Sequence, residues 1–232
     1  MLLSLLAFIL TAILLYLSSR ALIGHLIKLL MRLTHSQEAT VNLLFFFLLP
    51  GVFLHEFSHI LSAELLRVPT GELSLKPQLR EGELRLGSAQ IAATDPIRLT
   101  LIGTAPFVVG LIVLYLLIRV GLNLNLAENL LSQLQTLSAF LPFYRLALTL
   151  YLVFAIANTM FSSPSDLQAA GVPVVLILIL LGVFKLANLN LPAAIPQFTA
   201  NLFWLLASLF ALILILNLAL LLPLRFLTPR RR

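Results

Sequence analysis

Residues 41–66 read VNLLFFFLLPGVFLHEFSHILSAELL, a long apolar run into which two histidines and two glutamates are set. As an α-helix these residues would reach about 39 Å, more than the ~30 Å of hydrocarbon in a bilayer. The run therefore reads as a membrane span. Comparable stretches recur at Leu2 to Leu17, Leu99 to Ile118, Phe140 to Phe161, Leu167 to Ala187 and Phe198 to Phe226. Of the 232 residues 60% are hydrophobic and only 10% charged, with a mean hydropathy of +1.06. That is too little charge to cover a water-soluble surface. The expected fold is an all-α polytopic membrane protein of about six transmembrane helices, one membrane domain over residues 1–232.

The first span has no basic residue ahead of it and no small-x-small cleavage site, so it reads as a retained helix. After it, Ala21 to Leu33 sets His25, Lys28 and Arg32 at helical spacing among Leu and Ile, the pattern of a helix lying in the interface. Cysteine is absent, which excludes disulfides, thiolate metal sites and cysteine nucleophiles, so a bound metal must use nitrogen and oxygen. The net charge of +6 sits on no basic domain and points to anionic lipid and membrane topology, with no nucleic-acid partner. With six crossings, the loop at 67–98 and the tail carry nine Lys and Arg against six on the other side. This places both termini in the cytoplasm, and so little extramembrane mass suits a prokaryotic plasma membrane.

Within the polar loop Arg67 to Arg98, Glu72 to Lys76 and Glu83 to Leu86 alternate with period two, and Arg80-Glu81-Gly82 can turn the chain between them. A β-hairpin lying against the membrane between helices 2 and 3 is expected.

His55-Glu56-Phe57-Ser58-His59 carries the chemistry. On a helix, residues four apart share a face ~6 Å apart along the axis, so both imidazoles can reach one ion with Glu56 nearby. In a chain with 4 His, chance predicts only about 0.002 such HExxH matches. Neutral imidazoles are good Zn²⁺ ligands, and a catalytic zinc takes a third protein ligand and a water. His25 and His35 lie before the span and are poor candidates. Asp166 is a better one: it is the only charge from Leu146 to Phe184, where two spans leave its turn partly submerged and its carboxylate in need of a partner. If the second span runs outward-to-inward, His55 and His59, the end of the fourth span with Asn158 and Asp166, and the start of the third with Gly103 and Pro106 converge in one leaflet. A proton or ion transporter using His55, Glu56, His59 and Asp166 is the competing reading of the same residues.

These residues resemble the site-2 protease family of intramembrane zinc metalloproteases, over roughly residues 41–170. His55, Glu56 and His59 match the family's first motif, and Asn158 and Asp166 match its Asn-to-Asp motif at the usual spacing of eight. The family's hairpin between the first two core helices resembles Glu72 to Ile91. The middle Gly-Pro motif is altered, with Thr104 and Ala105 between Gly103 and Pro106, and Asp166 is followed by Leu167 where the family has Gly. The resemblance implies Zn²⁺ held by His55, His59 and Asp166, Glu56 as general base, Asn158 as a hydrogen-bond donor to the substrate, and Gly103 and Pro106 in substrate handling. The substrate it implies is a transmembrane segment, unwound so that its peptide bonds are accessible. The altered motifs leave open a metal-binding relative without proteolytic activity. The sequence leaves the oligomeric state undefined.

Overall fold

A computed structural model describes residues 2–80, 83–126, 133, 141–160 and 194–228. Its helices are α1 (Leu2–Thr34), α2 (Gln37–Leu65), α3 (Pro96–Leu116, continued by a π-helical segment Leu117–Gly121), α4 (Phe143–Thr159) and α5 (Ala194–Leu227). All but α4 are long and apolar enough to cross a membrane. The 17 residues of α4 reach about 26 Å, the lower limit for a span. The expected span at 167–187 lies outside the described residues.

Local chemistry sets the helix ends. Ser36 Oγ accepts the Ala39 N–H at 3.3 Å to open α2, and Arg67 in the left-handed region (φ 57°) turns the chain away after it. The Asp95 carboxylate caps α3 by accepting the N–H groups of Ile97 (3.1 Å) and Arg98 (3.0 Å), with Pro96 at the first helical position.

The N-terminal region differs from expectation. The span and the separate interfacial helix are one continuous helix of 33 residues. Ser18, Ser19 and Arg20 mimic the polar end of a span, but each finds its partner within the bundle. Ser18 donates to the Leu15 carbonyl, Arg20 donates to the Tyr16 hydroxyl at 3.1 Å, and both serines face Asn217 of α5.

α1 and α5 lie side by side and run parallel. Phe8 stacks on Phe203 and Phe210, Ser19 accepts from Asn217, and Arg32 donates to the Leu227 carbonyl at 2.7 Å. Leu2 and Leu227 therefore lie at opposite ends of the bundle. The expectation of both termini in the cytoplasm assumed six alternating crossings, which would set the first and last helices antiparallel. Arg225 belongs with Lys28, Arg32, Arg119 and Arg145, at the end away from the α2–α3 connection.

α2 turns back along α1, α3 runs antiparallel to α2, and α4 runs parallel to α2. Glycines bring these helices close. A Cβ on Gly51 of α2 would collide with the Ala155 carbonyl oxygen and Thr159 Oγ1 of α4, and one on Gly110 of α3 would stand 2.8 Å from Met160 Cγ. The main core joins Leu15 of α1, Leu114 and Ile118, Val153 and Ile156 of α4, and Leu209, Phe210 and Ile213 of α5.

The polar loop is a nested hairpin. The outer strands β1 (Thr70–Ser74) and β4 (Ser88–Ile91) pair antiparallel, as do the inner strands β2 (Gln78–Arg80) and β3 (Glu83–Arg85). The hairpin is as expected, but its register is not: Leu73 faces Ala89, and the Glu83 segment pairs with Gln78 to Arg80. The cause lies in the waist between the two ladders, where Leu75 and Leu86 leave the sheet to pack on the cluster of Leu30, Leu44, Leu48 and Val52. The hairpin thereby folds back alongside α2. It reaches Val52, thirteen residues or ~20 Å from the helix end at Leu65.

Candidate metal and catalytic site

α2 presents His55, Glu56 and His59 on the face turned toward α3 and the hairpin waist, and all three are more than nine-tenths buried. The two imidazole rings stand edge to face with centroids 5.1 Å apart. His59 Nδ1 lies 3.0 Å from the carbonyl oxygen of Ile102 in α3. A carbonyl only accepts, so Nδ1 of the neutral ring carries the proton and the lone pair falls on Nε2. A histidine ligand characteristically has such a carbonyl behind it, fixing the tautomer and the ring orientation.

The hairpin closes the other side. Gly87, immediately after Leu86 in the waist, lies so close that a Cβ on it would stand 2.8 Å from Glu56 Cγ and 3.0 Å from Glu56 Oε1. Only glycine lets the backbone approach the carboxylate this closely. The acid of the HExxH motif is thus covered by the hairpin waist of its own chain.

The remaining expected site residues divide. α4 finishes level with Gly51, one helical turn before His55, so Asn158 and Thr159 approach the motif from below. Asp166 lies outside the described residues. Among the described residues no group of three His, Asp or Glu side chains could hold a metal ion. The two imidazoles fit zinc as a donor pair: nitrogen ligands one turn apart, one with its second nitrogen on a carbonyl. Asn158 is engaged elsewhere. Its amide donates to the Phe154 carbonyl (2.8 Å) and to Asn217 Oδ1 (3.1 Å), and its own Oδ1 accepts from Asn217 (3.2 Å). Both of its donor hydrogens are committed, so donation to a substrate would require release from Asn217. Gly103 and Pro106 lie in the first half of α3, just after Ile102, with Pro106 buried.

Three contributors escaped the sequence reading. Asn217, wholly buried in the last span, was legible as a lone amide in an apolar run, a placement that asks for a partner. Gly87 and the Ile102 carbonyl left no such mark, because their roles are contacts with a different element.

No family model, no curated protein and no solved structure matches this chain.

Proposed function

We propose that the chain is an intramembrane zinc metalloprotease of the site-2 protease type, hydrolysing a peptide bond within or near a transmembrane segment of a membrane protein. The observation that carries the reading is the buried HExxH face of α2, with the His59 Nδ1 proton tied to the Ile102 carbonyl so that Nε2 is oriented as a ligand. His55 and His59 would hold the ion, with Asp166 as the third ligand. When bound, zinc supplies Lewis-acid polarisation of the scissile carbonyl and acidifies a water molecule.

Glu56 then acts as general base: its carboxylate takes a proton from the attacking water and returns it to the leaving amine. Burial by the hairpin waist excludes bulk water from this exchange. The hairpin must part from α2 to admit an unwound substrate strand, and the open edge of the outer ladder could receive that strand by β-addition.

The test is a transmembrane reporter substrate with the purified protein, wild type beside Glu56→Gln. Cleavage by the wild type and none by the variant, with about one zinc per chain in both, is the expected result. Cleavage retained by Glu56→Gln would overturn the general-base assignment. Zinc without cleavage would favour an inactive metal-binding relative, and ion flux without bound zinc a transporter.

A further inference from the structure

In an α-helix the carbonyl of residue 102 normally accepts the N–H of residue 106. Residue 106 is proline, which has no N–H, and a proline ring inside a helix also presses on the carbonyl four residues earlier. The carbonyl deprived of its helical donor is that of Ile102, the one that receives His59 Nδ1 at 3.0 Å. Ile102 is 1% exposed, so no solvent donor replaces the missing one, and the imidazole supplies the bond that the backbone cannot. The requirement is mutual. The helix needs a donor for a buried carbonyl, and the imidazole needs an acceptor that keeps the proton on Nδ1.

We infer that Pro106 is a positioning residue for His59: by withholding its backbone donor it hands the Ile102 carbonyl to the imidazole and so fixes the tautomer that places the ring lone pair on Nε2, the form in which that atom can ligate a metal. Pro106 touches neither metal nor substrate in this role. The inference rests on the reading of His59 as a zinc ligand for its purpose, but the tautomer itself can be measured without metal.

The experiment uses the full chain, isotopically labelled at histidine, in three forms: wild type, Pro106→Ala, and a form with lactic acid at position 106. The last has a backbone ester, which lacks the N–H as proline does but has no ring. Nitrogen-15 spectra of the metal-free proteins read the His59 tautomer, and zinc titration reads affinity. Pro106→Ala should shift His59 toward mixed tautomers and weaken zinc binding by about 10- to 100-fold, as loss of an outer-shell partner does. The ester form should keep the wild-type tautomer and affinity, and Pro223→Ala in α5 should change neither. An unchanged tautomer in Pro106→Ala would overturn the inference. So would an ester form as impaired as Pro106→Ala, since the ring would then matter and the missing donor would not. A tautomer that follows residue 106 in a protein that binds no zinc would uphold the positioning and remove the metalloprotease reading.

Discussion

Glu56 and Gly87 make a demanding contact, a carboxylate against a bare backbone. Gly87→Ala would place a methyl 2.8 Å from Glu56 Cγ, so either the waist lifts or the acid turns aside. Displacing a catalytic group by about 1 Å costs on the order of 10²-fold in rate. Reporter cleavage by Gly87→Ala should fall by about that factor while bound zinc is unchanged, a combination checked by assaying both on one preparation. Equal activity would mean that Glu56 works in another position. At this scale the sequence disclosed the two histidines and the acid that α2 buries together, because polar groups in an apolar run have few reasons to be there. It did not disclose Gly87, whose constraint is imposed by a helix about thirty residues earlier in the chain, nor that Asn158 would be bound by Asn217.

Among the elements, α3 has the clearest titratable anchor. The Arg98 backbone N–H, assisted by the Arg98 guanidinium and the Ile97 N–H, holds the Asp95 pKa below its ordinary 3.8. The folded pKa is depressed, so the cap's contribution is full above about pH 4 and is lost as pH falls through the folded value. Hydrogen-exchange protection of Ile97 and Arg98 should drop over that acidic window and lose its pH dependence in Asp95→Ala. Between elements, the Asn158–Asn217 pair with Ser18 and Ser19 ties α4 to α5 and α1. Asn217→Ala should lower stability by about 0.6–1.7 kcal/mol, the usual range for a polar contact between membrane helices, measurable by unfolding in mixed detergent. Hydropathy located the described long helices well, since each carries apolar side chains along its length. It misjudged α1, where serines serving a helix contact look the same as serines at a membrane surface. Alternation located the hairpin but not its pairing, because Leu75 and Leu86 satisfy the strand pattern while packing onto α2.

At the scale of the whole molecule, the parallel course of α1 and α5 separates Leu2 from Leu227. The chain has no cysteine, so single cysteines can be introduced against no background. A membrane-impermeant maleimide applied to sealed vesicles should label only one of Leu3→Cys and Leu227→Cys, and both after permeabilisation. Labelling of both in sealed vesicles would return the two ends to one side. The parallel pairing also has an electrostatic consequence. The peptide dipoles of two antiparallel neighbours offset one another, whereas those of α1 and α5 add, gathering about half a negative charge from each helix at the same end of the pair. Both helices carry an arginine in the last turn there, Arg32 and Arg225, and Arg32 reaches across to the final carbonyl of its neighbour. That guanidinium serves as a counter-charge shared by two helix termini that would otherwise repel.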